Sequence, residues 1–489
     1  MKITFKTLIL AAGPVLFFLL QLSNAPAGMT ETAWAVVAVT LWMALWWVTE
    51  VVPIAVTALL PIILFPLTGA LDIASTTSAY GDKYVFLYLG GFLLAIAIEK
   101  WDLHRRIALS IIKLIGTDVK YIILGFMVAT AFLSMWISNT ATSVMMLPIG
   151  TAIISQLQDD PETPENENKH FGKALMLAIA YSASIGGIGT LIGTPPNLVL
   201  AGIVQKLYGI EISFFQWAKL GIPISIILLA ICWKYLTRFA FDLSQIKLPG
   251  GKAKINTLLK NLGKMSRQEK VVLTVFVLTA FGWITRSFLL QPLIPFIDDT
   301  IIAMTAGVVL FALPSGKSGE RILNWDDAVK VPWGIIILFG GGMALAKAFG
   351  ETGLATWLGE QLTALENLPL YLLVLVIIAA VNFLTEVTSN LATTAMLLPI
   401  LAPMALAMGI HPYFLLVAAT LAASCAFMLP VATPPNAVVL GSGHLNIPDM
   451  AKAGIWMNTF SIILISLIIY YFLPWLWNFS VHEIPSVFN

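Results

Sequence analysis

Long apolar segments recur from one end of the chain to the other and are separated by short polar connections. Most are close to the length of about 20 residues that a helix needs to cross the hydrocarbon layer of a membrane. They run near 8–23, 33–49, 52–68, 84–100, 121–137, 174–207, 217–235, 271–290, 300–314, 333–349, 370–405, 413–441 and 454–477. This pattern predicts an all-α polytopic membrane protein.

Two of the apolar stretches carry clusters of polar residues in their middle. Ser138 and its neighbours interrupt the stretch at 121–155, and Asn390 and its neighbours interrupt the stretch at 370–405. Polar groups at membrane depth are tolerated only where they are buried in protein or line a wet cavity. We therefore expect two re-entrant hairpins with tips near the membrane centre, in addition to about eleven transmembrane helices.

The composition supports the membrane assignment. Hydrophobic residues make up 58% of the 489-residue chain and charged residues 11%, whereas a soluble domain carries about 25% charged residues. The net charge of +1 argues against nucleic-acid binding, which needs a clustered basic surface. Cys232 and Cys425 both lie in apolar stretches, so the sequence does not predict a disulfide framework.

Basic residues are distributed unevenly among the connections. They cluster at 100–120 and 247–270, whereas 24–32 and 350–368 contain no Lys or Arg. Because cytoplasmic loops carry the excess of positive charge, we expect the N-terminus in the cytoplasm and the C-terminus outside, in the plasma (inner) membrane. The first apolar run, 8–22, is expected to be an uncleaved helix rather than a signal peptide.

An internal repeat relates the two interrupted stretches. Residues 134–149 read SMWISNTATSVMMLPI and residues 385–400 read TEVTSNLATTAMLLPI, at an offset of 389 − 138 = 251. A second shared string follows, GTPPN at 193–197 and ATPPN at 432–436, at an offset of 432 − 193 = 239. The difference of 251 − 239 = 12 residues corresponds to an acidic loop at 159–170 that only the first half contains.

The paired proline strings predict broken helices. Proline has no backbone N–H and moves the preceding residue out of helical geometry. We expect carbonyl groups before each break to coordinate a cation, and helix N-termini after it to offer N–H groups and a positive dipole to an anion. Corresponding broken segments in two halves are typical of secondary transporters with inverted repeats and a binding site at the midplane.

Together with Trp47–Pro53 (WVTEVVP) and Thr57–Pro61 (TALLP), these strings resemble the divalent anion/sodium symporter family, which includes INDY-type dicarboxylate and citrate carriers. The likeness covers nearly the whole chain. It implies a homodimer in which a scaffold domain forms the dimer interface. It also implies a transport domain, built from the hairpins and broken helices, that moves as an elevator.

The resemblance also implies ligand sets by motif position. The first sodium site would comprise Ser134, Ser138, Asn139 and the carbonyl group of Gly193. The second would comprise Thr385, Thr388, Asn390 and the carbonyl group of Ala432. The substrate carboxylates would meet Ser138, Asn139, Thr140, Ser389 and Asn390, with Thr433 and Pro434 beside them and Leu391 at the position that matches Thr140. Because Leu391 lacks a hydroxyl group, the choice among succinate-like, citrate-like and other divalent anions stays open.

The same reasoning divides the chain into five parts. Residues 1–83 form N-terminal scaffold helices, and residues 84–207 form the first transport half, with its hairpin at 121–155 and its broken helix at 174–207. Residues 208–332 form further scaffold helices and include a cytoplasmic loop at 236–270. Residues 333–441 form the second transport half, with its hairpin at 370–405 and its broken helix at 413–441, and residues 442–489 form a C-terminal helix and tail.

The predicted function is sodium-coupled symport of C4-dicarboxylates or related di- and tricarboxylates, and the protein is expected not to be an enzyme. Two alternatives are a dicarboxylate or citrate antiporter of the same family and a transporter of inorganic divalent anions such as sulfate. Glu50 and Glu386 lie in or beside apolar segments, where an ionisable group suggests function. We expect both to be helix-end or hydrogen-bonded structural carboxylates, with direct sodium or proton binding as the alternative. Lys347 and Arg286 are expected to extend from span ends to the membrane interface.

Overall fold

The computed structural model describes residues 5–116, 118–158, 165–241, 243, 251–316, 319–361, 369–481, 484 and 488. Apart from one isolated β-bridge between Pro314 and Arg321, the regular secondary structure of these residues is helical. The all-α prediction is therefore confirmed. Residues 159–164 of the predicted acidic loop, and 242 and 244–250 of the predicted cytoplasmic loop, lie outside the described part of the chain.

The first part of the chain forms seven helices. They are α1 (Phe5–Gln21), α2 (Glu31–Thr49), α3 (Ile54–Thr57), α4 (Leu60–Thr68), α5 (Ile73–Ser78), α6 (Lys83–Lys100) and α7 (Leu103–Ile115). Side-chain caps begin several of them: the Thr30 hydroxyl accepts from the Ala33 N–H at 3.1 Å, which satisfies a donor that the first turn of α2 leaves unpaired. Glu50 ends α2 in a left-handed conformation and is exposed. This confirms its expected place at a helix end.

The first interrupted stretch folds as a helical hairpin followed by a broken helix. Its elements are α8 (Val119–Ser134), α9 (Asn139–Gln158), α10 (Glu165–Gly187) and α11 (Pro195–Tyr208). The break at 188–194 begins well before the prolines, because α10 already ends at Gly187. Pro195 and Pro196 instead open α11, where a missing N–H costs nothing and the fixed φ of proline suits the first turn.

Seven helices connect the two halves. They are α12 (Phe214–Lys234), α13 (Gly251–Asn261), α14 (Arg267–Thr285), α15 (Asp299–Ala312), α16 (Trp325–Ala328), α17 (Trp333–Glu351) and α18 (Leu354–Gln361). Short π-helical turns extend α12 through 235–240 and α14 through 286–290.

The second half repeats the arrangement of the first. Its elements are α19 (Leu370–Leu384), α20 (Asn390–Ala407), α21 (Tyr413–Ala423), α22 (Pro434–Leu440), α23 (Ile447–Leu467) and α24 (Leu473–Trp477). Here the break at 424–433 is longer, and the proline pair again opens the second helix. Among the described residues, seven helices are long and apolar enough to cross a membrane, and six further apolar helices are shorter.

The helices are described below in two groups, which also pack on each other through α7 on α8, α17 on α11 and α18 on α20. The hairpin arms α8 and α9 pack on α10, and α12 packs on α8, α10 and α23. The two halves interlock, since α22 packs against α9 and α11 packs against α20. Outside this group, α6 packs along α15, and α14 packs on both. We refer to α8–α12 and α19–α24 as the hairpin group, and to α1–α7 and α14–α18 as the frame.

Candidate functional site

The tip of the first hairpin brings together three of the residues predicted to bind sodium. Ser134 Oγ lies 2.6 Å from Asn139 Oδ1 and 2.7 Å from the carbonyl oxygen of Ala183 in α10. The amide head of Asn139 also lies 3.2 Å from the carbonyl oxygen of Gly193, in the break before α11. A Cβ atom at Gly187 would lie 2.6 Å from Asn139 Oδ1, so only glycine leaves room for the amide here.

The tip of the second hairpin repeats the contacts of the hydroxyl group with the asparagine amide and with a helix carbonyl group. Thr385 Oγ1 lies 2.6 Å from Asn390 Oδ1 and 3.1 Å from the carbonyl oxygen of Ala423 in α21. Thr388 is engaged inside its own hairpin, since its hydroxyl lies 2.6 Å from the hydroxyl of Thr393. We call each hydroxyl, amide and carbonyl set an oxygen triad.

The oxygen triads have the chemistry of a site for a hard cation. A hydroxyl group carries a single hydrogen, so Ser134 or Thr385 can donate to only one of the two oxygens beside it. In the orientation that satisfies its hydrogen bonds, the Asn139 amide nitrogen donates to Ser134 Oγ at 2.6 Å and to the carbonyl oxygens of Ala183 and Gly193 at 3.2 Å each. Turning the amide over would bring its own oxygen to the same three oxygen atoms. Hard cations are bound by carbonyl, amide and hydroxyl oxygens of this kind, so the set has the ligands that a sodium ion would need once the amide oxygen turns towards it.

The Ser-Asn strings place helix N-termini at both hairpin tips. Ser138 precedes α9, and its hydroxyl accepts from the Ala141 N–H at 3.2 Å. Ser389 precedes α20 in an extended conformation. The first turn of a helix has N–H groups without helical partners and a partial positive charge, both of which favour an anion. The predicted substrate contacts of Ser138 and Ser389 therefore lie beside N–H groups that an anion could use.

One detail of the sequence prediction needs correction. We expected N–H donors after the proline pairs, but the first two residues of α11 and of α22 are prolines and carry no N–H. The Asn197 N–H that follows donates to the carbonyl oxygen of Thr194 at 3.2 Å. Those helix ends can therefore offer only a dipole at their first two positions, and N–H donors for an anion would have to come from the starts of α9 and α20.

A cavity of about 690 Å³ reaches the first hairpin tip. Its walls include Ser138 and Thr140 on the hairpin, Glu99 in the last turn of α6 and Arg105 in the first turn of α7. Its lining, as far as the described residues show it, comes from the first hairpin and the frame. Thr140 is exposed, as a substrate contact should be.

The remaining predicted residues lie on the second half. Ala432, Thr433 and Leu391 are buried, with 4%, 4% and 5% of their surfaces exposed. Pro434 is exposed as the first residue of α22, the helix that packs against α9. Among the described residues, the Thr433 hydroxyl is buried and has no hydrogen-bond partner, which leaves it available to a ligand.

The asparagine of each proline string holds its loop together. Asn197 Nδ2 donates to the carbonyl oxygens of Thr190 at 2.7 Å and Gly187 at 3.1 Å. Asn436 makes the matching bond in the second half, at 3.0 Å to the carbonyl oxygen of Leu429. Both asparagines are fully buried. They fix the irregular backbone that contains the predicted carbonyl ligands, a role that their repetition beside the prolines could have suggested.

Glu386, at the tip of the second hairpin, holds the irregular segment at 424–433 between α21 and α22, which we call the second loop. Its carboxylate accepts from the N–H groups of Phe427 at 2.8 Å, Met428 at 3.0 Å and Leu429 at 3.0 Å. Asn458 Nδ2 in α23 donates to it at 2.7 Å. All of these neighbours are donors, as an ionised carboxylate requires. These hydrogen bonds are those expected of a structural carboxylate.

The first half uses a neutral bond at the equivalent place. Position 386 − 251 = 135 is Met135, and its carbonyl oxygen accepts from the Thr190 hydroxyl at 2.5 Å. The sequence prediction did not identify this bond or the carbonyl groups of Ala183 and Ala423. Main-chain ligands leave no side-chain signature, so the sequence offers little signal for them.

Arg286 differs from its prediction. We expected it to extend to the membrane interface, but only 3% of its surface is exposed. It pairs with Glu211 at 2.8 Å and Asp299 at 2.9 Å. Because carboxylates are available inside the bundle, the guanidinium group is paired there rather than hydrated at the interface. Lys347 Nζ donates to the carbonyl oxygen of Ser75 at 2.9 Å.

Paired hairpins, paired broken helices and duplicated oxygen triads inside a membrane-spanning bundle define a secondary transporter that handles a cation and an anion. The sequence profile described as the sodium:sulfate symporter transmembrane region matches residues 3–479. The chain belongs to this family, and the resemblance to divalent anion/sodium symporters is confirmed. The protein is a transporter and not an enzyme.

Two similar proteins carry the name sodium-dependent dicarboxylate transporter SdcS. The one from Staphylococcus saprophyticus is 49% identical over 472 residues, which cover 95% of this chain and 91% of the relative. The one from Staphylococcus aureus strain USA300 is 49% identical over 480 residues, which cover 97% of this chain and 92% of the relative.

Two solved structures share the fold. The Alcanivorax borkumensis YdaH transporter aligns with a TM-score of 0.57 at 12% identity, over 83% of this chain and 88% of that chain. Neisseria gonorrhoeae MtrF, from a class of antimetabolite efflux pumps, aligns with a TM-score of 0.54 at 13% identity, over 86% of this chain and 87% of that chain. At this identity the likeness concerns the fold alone.

Proposed function

We propose that this protein is a sodium-coupled symporter of C4-dicarboxylates such as succinate, malate and fumarate. The observation that carries the proposal is the pair of oxygen triads, one at each hairpin tip and each built from a hydroxyl, an asparagine amide and a main-chain carbonyl. Relatives of almost the same length, 49% identical, are named for sodium-dependent dicarboxylate transport.

Sodium binds at each triad, and the dicarboxylate binds between the hairpin tips. The N–H groups that open α9 and α20 receive the carboxylates, together with the side chains of Ser138, Asn139, Thr140, Ser389 and Asn390. Thr433 and Pro434 lie beside them, and Leu391 shapes the less polar side. Ser138 and Thr388 complete the two sodium shells, with the carbonyl groups of Gly193 and Ala432.

Charge explains why the two fluxes are coupled. A dianion in a low-dielectric interior has a large desolvation cost, which adjacent cations offset. Two sodium ions and one dicarboxylate carry no net charge together. The loaded and empty hairpin groups therefore differ little in the cost of crossing the membrane, so uptake with two sodium ions is expected to be insensitive to an imposed membrane potential.

The hairpin group moves as an elevator against the frame, and the frame forms a homodimer interface. The packing of α12 on the hairpins and of α6 on α15 supports a moving unit that includes α12 and a frame that includes α6. The protein resides in the plasma membrane with its N-terminus in the cytoplasm. The cavity mouth beside Arg105 and Lys330 would then open to the cytoplasm.

Uptake of labelled succinate into proteoliposomes tests the function. We expect accumulation with an inward sodium gradient and little uptake when choline replaces sodium. Uptake that ignores sodium and requires an internal dicarboxylate would instead assign the protein as an antiporter. Competition by citrate and sulfate decides the substrate class, and sulfate is included because the family profile is named for it. Strong inhibition by sulfate with none by malate would refute the dicarboxylate assignment.

A further inference from the structure

A cluster of charged residues lies on the face of the bundle opposite the cavity mouth. Helix α6 begins at Lys83, whose Nζ lies 3.6 Å from Glu211 Oε2. The same helix ends beside Glu99, which lines the cavity. One helix thus connects an ion-paired face of the bundle with an open face.

The ion pairs at this face cross from the hairpin group to the frame. Glu211 lies in the connection between α11 and α12, and its Oε1 is 2.8 Å from the Arg286 guanidinium group. Arg286 is also paired with Asp299 at 2.9 Å, which belongs to the frame. The other oxygen of Asp299 accepts from the Phe214 N–H at 2.7 Å, so two bonds connect the start of α12 to α14 and α15.

An aromatic stack continues from these ion pairs to the first hairpin tip. The rings of Phe214 and Trp283 lie 5.0 Å apart at an interplanar angle of 13°. Trp136, two residues before Ser138, stacks on Trp283 at 6.2 Å and 12°. Trp283 Nε1 donates to the carbonyl oxygen of Asp299 at 3.0 Å. The hairpin tip is therefore sealed against the frame on the side away from the cavity.

We propose that these ion pairs and the aromatic stack form a closed gate, and that Glu211 is the positioning residue that favours the state in which the site opens to the cavity. The proposal rests on the alternating-access function proposed above. Movement of the hairpin group must separate Glu211 from Arg286, whereas Arg286 keeps its pairing with Asp299. The Phe214 N–H bond to Asp299 breaks in the same movement. Of the two ion pairs of Arg286 only the one to Glu211 is lost, so the gate can open without leaving a buried arginine unpaired.

Accessibility of the cavity to a thiol reagent tests the gate. Val144 lines the cavity and is 52% exposed, whereas Cys232 and Cys425 are fully buried. In a Val144→Cys protein, a membrane-impermeant maleimide added on the cavity side should modify the new thiol. Adding Glu211→Gln should slow this reaction about threefold to tenfold, because losing a partly exposed ion pair shifts the population away from the cavity-open state. Lys83→Gln should act in the same direction more weakly.

The matched control is Glu351→Gln. Glu351 pairs with Lys347 at 3.8 Å within a single helix, so its loss should leave the modification rate unchanged. If Glu211→Gln and Lys83→Gln both reacted at the parent rate, the gate would be refuted. In proteoliposomes Glu211→Gln should also lower KM for dicarboxylate on the gate side without an equal rise in kcat. Labelling needs no transport, so failure of the transport assay and failure of the gate give different results.

Discussion

Replacing Glu386 with glutamine tests how the second broken helix is held. The carboxylate accepts bonds of 2.7 to 3.2 Å from three backbone N–H groups and from Asn458. A glutamine has one oxygen in place of two, and its amide group brings N–H donors towards backbone donors. Hydrogen bonds to a charged group contribute about 1.5–3 kcal/mol each, and a buried unsatisfied donor costs about 1–3 kcal/mol. Losing the hydrogen bonds to one carboxylate oxygen should therefore lower the free energy of unfolding by about 3–5 kcal/mol.

The assay is thermal unfolding of purified protein in lipid nanodiscs. We expect Tm to fall by about 5 °C in Glu386→Gln, with sodium-driven uptake reduced because the loop carries the predicted carbonyl group of Ala432. The exposed Glu351→Gln variant is the control and should melt like the parent. An unchanged Tm in Glu386→Gln would show that the four donors do not hold the loop.

Replacing residues of the second half with their counterparts from the first half tests whether the loop needs the charge of Glu386 or only a hydrogen bond at this place. The first half has Met135 at the place of Glu386, and Thr190 at the place of Leu429, since 429 − 239 = 190. Glu386→Met alone should destabilise the protein. Glu386→Met with Leu429→Thr should recover part of the loss, because the new hydroxyl can reach the carbonyl group of residue 386 as Thr190 reaches Met135. No recovery would mean that the second loop needs the charge itself.

Three further predictions concern the site and its surroundings. Asn139→Ala and Asn390→Ala should each reduce sodium-dependent uptake at least tenfold while folded protein remains in the membrane; wild-type uptake in either would contradict the triad assignment. Leu391→Thr should change the ratio of succinate to citrate uptake, and an unchanged ratio would place Leu391 away from the substrate. Burial among aromatic rings lowers the pKa of His411 to about 4, so the native state resists protonation. Stability present above pH 6.5 should fall between about pH 6.5 and 4, and Tm measured against pH should decline less in His411→Gln.

The sequence was sufficient to predict the hairpins, the broken helices and their duplication. Polar residues such as Ser138 and Asn390 in the middle of apolar runs are tolerated only inside protein, so their placement followed from membrane chemistry. The repeat made the prediction stronger, because two independent insertions of the same polar string would be costly. Ser134 with Asn139, and Thr385 with Asn390, meet as their motif positions implied.

Features that depend on main-chain geometry could not be predicted in the same way. The carbonyl groups of Ala183 and Ala423 enter the triads from neighbouring helices, and an alanine in an apolar run has no pattern that marks this. The pairing of Arg286 also depends on which connections meet in space, because Glu211 is 75 positions away, 286 − 211 = 75. A charge near a span end predicts the interface only when no partner lies inside the bundle.

The two halves have the same order of helices, but different side chains hold the irregular loop in each half. Each must fix an irregular loop deep in the bundle, where unpaired N–H groups are expensive. The first half does so with neutral groups, Thr190 and Asn197. The second places the charge of Glu386 next to Thr385, a member of the second triad. A buried carboxylate surrounded only by neutral donors has no opposite charge of its own, so a sodium ion at Thr385 and Asn390 would be more strongly attracted than one at Ser134 and Asn139. Duplication of the fold therefore does not require equal sodium affinities, and we expect sodium to bind more tightly at the second triad than at the first.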